Sequence, residues 1–200
     1  MNARLIVGRM LRFGILCGFL IGTTGGISGA DDSPQAASPQ SKHTEKDAES
    51  KKETSKSAQE MVRRGVNWLV AAQHPDGGWG GGSHAQQEIR DPAAVPSDPA
   101  TTAFTASALL RAGNTPVAGE HRDAVIKAMN YLVNVVEQAD PKGNRITKLE
   151  NTQLQTKLGP MIDTAMTAQF LTRVLEVLPR GDSSYKRVDA ALSECVRRME

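Results

Sequence analysis

The chain has 200 residues, 23% of them charged, with a formal net charge of +2 and two cysteines. Arg4, Arg9 and Arg12 fall in the first thirty positions and no acid does, so the remainder is close to neutral. That balance leaves no electrostatic footprint for nucleic acid or a polyanionic partner. Cys195 stands alone after position 30, so that stretch has no intrachain disulfide to make.

Residues 1–30 have the three parts of a cleavable secretory signal peptide: the basic start, an apolar run from Phe13 to Ile21, and the small-x-small sequence Ser28-Gly29-Ala30. The apolar run is shorter than the roughly 20 residues a bilayer span needs, so no stable membrane span is expected after cleavage. Leu16 directly before Cys17 speaks against a lipoprotein signal. A secreted or periplasmic protein is expected. Residues 31–56 hold no apolar side chain larger than alanine apart from two prolines, a composition that predicts a disordered linker.

The folded part is expected over 57–200, all-α, in five helices. Ser57 with Glu60 three residues on forms a capping-box pattern, and the first helix should run to about His74, before Pro75. Met61, Val62, Val66, Trp68, Leu69, Val70 and Ala72 form an apolar arc wide enough to predict neighbours on more than one side. An Ala- and Thr-rich helix follows from about Ala100 to Ala112, stopped by Gly113 and Pro116. Val125, Ala128, Met129, Leu132, Val135 and Val136 define a third helix over about 120–138. A fourth spans about Ile162–Leu178. The fifth starts near Ser184 and carries Val188, Leu192, Cys195 and Met199 on one stripe, which reads Cys195 as core.

The chain also resembles itself. Asn67-Trp68-Leu69-Val70 recurs as Asn130-Tyr131-Leu132-Val133, and Thr102-Ala103-Phe104-Thr105-Ala106 as Thr164-Ala165-Met166-Thr167-Ala168, at offsets of 63 and 62. Two helices repeating together define a helical-hairpin unit. Repeat one is 57–119, repeat two 120–182, and 183–200 opens a third, giving about two and a half hairpins. The links inside the hairpins, 75–99 and 139–161, are long and fall at one end of the array, whereas 113–119 and 179–183 are short. The long-loop end is the expected ligand side. His74, Asp76, His84 and Asp91 lie in or beside the first long loop and are weak ligand-binding candidates.

The stretch from Arg64 to Trp79 resembles the QW motif of squalene and oxidosqualene cyclases: basic Arg64, small Gly65, aromatic Trp68, aliphatic Leu69, then Gln73, Gly77 and Trp79 at the motif's spacing. Repeat two keeps only the first half, as Lys127, Ala128, Tyr131 and Leu132. The resemblance implies an incomplete α/α toroid of the terpenoid-cyclase and prenyltransferase family, the prenyltransferase and squalene oxidase repeat. It also implies a structural clamp: the glutamine bonds toward the end of a neighbouring helix and the tryptophan packs over it.

In that family the cyclases protonate substrate with a DxDDTA motif. The similar helix starts here run from Asp98 to Ala103 and from Pro160 to Ala165, with Ala100 and Ile162 where the middle acid belongs. No catalytic residue is assigned, and Asp163 reads as a helix cap. The prenyltransferase branch binds zinc through Asp, Cys and His, but His74, His84 and His121 show no ligand spacing, so neither metal nor cofactor is expected.

A non-catalytic binding or structural module is therefore expected, its partner a protein or extended ligand of the cell envelope. Alternatives are a toroid enzyme, terpene cyclase-like or polysaccharide-processing with Glu88, Arg90 and Asp91 as loop candidates, or a truncated fragment of one. An open array of hairpins also predicts self-association.

Overall fold

The computed structural model describes residues 43–83, 85 and 88–200, with side-chain environments from residue 56 onward. The signal-peptide residues and the first part of the expected linker lie outside the described residues. All regular structure described is helical: α1 (His43–Ala71), α2 (Pro99–Arg111), α3 (Arg122–Glu137), α4 (Gln153–Leu158), α5 (Ile162–Val177) and α6 (Tyr185–Met199), with one 3-10 turn at Pro92–Ala94. No described helix is long and apolar enough to cross a membrane.

The helices form two layers. Inner helices α2 and α5 lie against each other, and outer helices α3 and α6 pack on them, α3 on α2 and α6 on α5. Position in the layers explains composition. An inner helix is covered on several sides, and α2 meets that crowding with Ala100, Ala103 and Ala106, all fully buried and small enough to let backbones approach. Outer helices need one apolar stripe, and α3 supplies Val125, Ala128, Met129, Leu132 and Val136. Cys195 lies on the corresponding stripe of α6, fully buried, its thiol pushed up to about 11 by desolvation. It is core, as its spacing implies.

Four features depart from the sequence reading. First, α1 begins at His43, so positions 43–56 of the expected disordered linker are helical. The stretch holds no apolar residue but Ala48, yet it also lacks the helix breakers Gly and Pro. Second, α1 is covered on one side only among the described residues. Val66, Leu69, Val70 and Ala72 pack on the core, while Met61, Val62 and Trp68 stand 56–59% exposed.

Third, the second long loop contains α4, a sixth helix. Its start has a complete capping box: Thr152 accepts from the Gln155 amide, and the Gln155 side chain accepts from the Thr152 amide. Fourth, Asp163 is not the N-cap of its own helix. That place is Met161, which makes no side-chain capping bond.

The two long loops do converge at one end of the array. Ser83 bridges Thr152, and Gln153 donates to the Gly82 carbonyl. Loop two is tied down from the outer layer by Arg198 on α6. Its guanidinium, 1% exposed, pairs with Glu194 and donates to the Gly143 and Arg145 carbonyls.

Candidate functional site

The turn after α1 holds the first hairpin together. Helix α1 leaves carbonyls unpaired at its end, and Leu69 O finds its donor in the indole of Trp79, at 2.8 Å. To return there the chain must fold back sharply. Gly77 allows this with φ +93 and by lacking a Cβ, which would sit 2.5 Å from the Lys127 carbonyl oxygen on α3. Gln73 spends both hydrogens of its amide on this junction, donating to Gly77 O inside the turn and to Ala124 O in the first turn of α3, each at 2.9 Å. Glutamine therefore joins neighbouring hairpins through a carbonyl near the start of α3, and tryptophan caps the helix that precedes it. Arg64, Gly65 and Trp68 take no part, since all three lie on the exposed side of α1.

Trp79, 4% exposed, also organises the start of α2. Its backbone N–H donates to Thr102 Oγ1, and its carbonyl accepts from the Thr102 hydroxyl and the Asp98 amide. Repeat two has Thr164 in the place of Thr102 but no tryptophan turn. The Thr164 hydroxyl is buried with no hydrogen-bond partner among the described residues.

The two helix starts that resemble an acid motif are built around Asp98 and Asp163, both buried. Asp98 caps α2, one oxygen accepting from the Thr101 amide and the other from the Gly81 amide. Asp163 reaches from α5 to α2, where one oxygen accepts from the Ala100 amide; the other accepts from Gln155 Nε2 at 2.7 Å. Desolvation raises the Asp163 pKa, opposed by the bonds from Gln155 and Ala100. Each carboxylate thus has donors on both oxygens. Gln155, the partner that fixes Asp163, was invisible as a site residue in the sequence. The capping-box pattern from Thr152 to Gln155 was the signal that could have found it.

The loop candidates are separately engaged. A His74 ring nitrogen bonds the Pro92 carbonyl, Asp76 accepts from the Gly78 amide and the Ser97 hydroxyl, and Asp91 caps the 3-10 turn through the Ala93 amide. His84 lies outside the described residues. The three that are described each bond within the first long loop. No group of three or more His, Cys, Asp or Glu placed to hold a metal ion occurs among the described residues.

A cavity lies instead on the inner face. Between α2, α4 and α5 runs an open groove of about 320 Å³. Phe104, Ala108 and Arg111 of α2, Ile162 and Met166 of α5, and Leu154 and Leu158 of α4 line it. Phe104 and Leu158, 66% and 65% exposed, offer large apolar surface to whatever enters. The sequence placed the ligand side among the long loops, and loop two contributes α4, yet the residues facing the groove are mostly on the inner helices. Their inward direction depends on how the hairpins stack.

Stacked helical hairpins, short links on one side, long loops on the other and an apolar inner face define an α/α hairpin repeat protein. The family model of the squalene-hopene cyclase C-terminal domain matches residues 48–152, more than half of the 200, and the chain belongs to that family. No curated protein and no solved structure matches it.

Proposed function

We propose that the protein is an exported, non-catalytic binding module that holds an elongated apolar ligand in the groove between α2 and α5, with Arg111 facing a polar or anionic end. One observation carries this reading. Where the resemblance leads one to look for a proton donor, repeat one has the buried Ala100 and repeat two has Ile162, an apolar residue lining the groove. The flanking carboxylates are committed to backbone and amide donors. Protonating an alkene needs a carboxylic acid presented to the substrate, and the residues lining the groove include no Asp or Glu. What remains is a surface suited to burying hydrocarbon, at roughly 25 cal/mol per Å² of apolar area removed from water.

The test is titration of the purified protein with a linear isoprenoid alcohol and with its phosphate ester. Both should bind, the phosphate more tightly. Leu158→Asp or Met166→Asp should abolish binding of both, and Arg111→Ala should remove only the preference for the phosphate. Incubation with squalene should yield no cyclised product. Turnover of squalene, or binding indifferent to both groove variants, would overturn the reading.

A further inference from the structure

Helix α1 exposes a face that the same repeat buries everywhere else it occurs. An offset of 63 residues carries α1 onto α3 and α3 onto α6, aligning Val62 with Val125 and Val188, Gly65 with Ala128 and Ala191, and Leu69 with Leu132 and Cys195. On α3 and α6 all six side chains are at most 3% exposed. On α1 Val62 is 56% exposed, Gly65 is open with nothing within 4 Å of where a Cβ would stand, and Leu69 is half-buried. Met61 and Trp68, both 59% exposed, extend the same apolar strip. A helix end facing only water has no need of that stripe.

The chain itself shows what covers such a stripe. On α3 it is the preceding hairpin: α2 packs along it, Gln73 donates to the Ala124 carbonyl, and the turn at Gly77 sits on the Lys127 backbone. On α6 it is again the preceding inner helix, α5. Shifted back by 63, the acceptor for such a glutamine is the Met61 carbonyl, and the seat for such a turn is the backbone of Arg64. A second copy of this chain has no free hairpin to offer in this register. Its Gln73–Gly77 turn already lies on its own α3, and its inner helices α2 and α5 already carry α3 and α6.

We propose that the Met61–Val62–Gly65–Trp68 face of α1 docks an α/α hairpin of the same repeat type from another polypeptide, completing the array on that side. The hairpin offers an inner helix to Val62 and Gly65 and a glutamine amide to the Met61 carbonyl. This interface is separate from the groove between α2 and α5 and does not rest on what that groove binds.

The test uses the full protein with Cys17→Ser and Trp68→Cys, the new thiol carrying a photocrosslinker while the buried Cys195 stays unlabelled. The labelled protein is added to envelope extract of the producing cell and irradiated, and the crosslinked peptides are sequenced. The expected product is one joined to a different polypeptide, at a helical hairpin with a Gln-x-x-x-Gly turn. Adding Val62→Asp should cut its yield at least tenfold with the melting temperature unchanged, since Val62 is exposed in the free protein. Crosslinks only to other copies of this chain, crosslinks to lipid or to unrelated proteins, a yield indifferent to Val62→Asp, or no crosslink would each overturn the proposal.

Discussion

Thr102 and Thr164 occupy equivalent places in the two inner helices, are both essentially inaccessible, and should respond oppositely to the same substitution. The Thr102 hydroxyl accepts from the Trp79 amide at 2.9 Å and donates to the Trp79 carbonyl at 3.1 Å. In Thr102→Val the carbonyl keeps the Asp98 amide as donor, but the Trp79 N–H loses the acceptor it has. An orphaned buried donor costs about 1–3 kcal/mol. The Thr164 hydroxyl already lacks a partner among the described residues, so Thr164→Val removes a desolvated polar atom and orphans nothing. That change should be neutral or stabilising by about 1 kcal/mol. Valine and threonine are both β-branched, so helix propensity changes little. The two variants should differ by roughly 3 kcal/mol, on the order of 10 °C in Tm for a domain of this size. Urea denaturation of the wild type and both single variants, followed by circular dichroism, measures the difference. A Thr164→Val variant as destabilised as Thr102→Val would refute the assignment of the Thr102 effect to the Trp79 turn.

Two further outcomes are expected. Because burial raises the Asp163 pKa in the folded state, the folded protein takes up a proton before the unfolded chain does. Stability relative to Asp163→Asn should therefore rise as pH falls from the raised folded value toward the ordinary 3.8. Denaturation of both proteins across that window checks the sign, and a difference that is flat or shrinks on acidification contradicts it. Arg198→Met should cost about 2–3 kcal/mol, since two carbonyls of loop two lose a charged donor and Glu194 loses a pairing partner. Limited proteolysis should then cut within 139–150 much faster than in the wild type; an unchanged cleavage rate would show that other contacts hold the loop.

What the sequence determined by itself is local or periodic. Helical spacing located α2, α3, α5 and α6 to within a few residues, because an outer helix must place apolar side chains on one stripe whatever covers it. The 63-residue offset announced stacked hairpins, and the absence of an acid at positions 100 and 162 could be read directly. Tertiary structure decided the rest, because each remaining question concerns partners distant in the chain. Asp163 looked like the cap of its own helix and instead serves the Ala100 amide of α2, since the neighbouring inner helix offers free N–H groups at that spot. The six-residue α4 was too short for periodicity to show, yet it lines the groove. The motif from Arg64 to Trp79 reads as one unit in sequence, but the fold divides it. Gln73, Gly77 and Trp79 bind the described hairpins, while Arg64, Gly65 and Trp68 are exposed, because a helix with two apolar sides meets a neighbour among the described residues on only one of them.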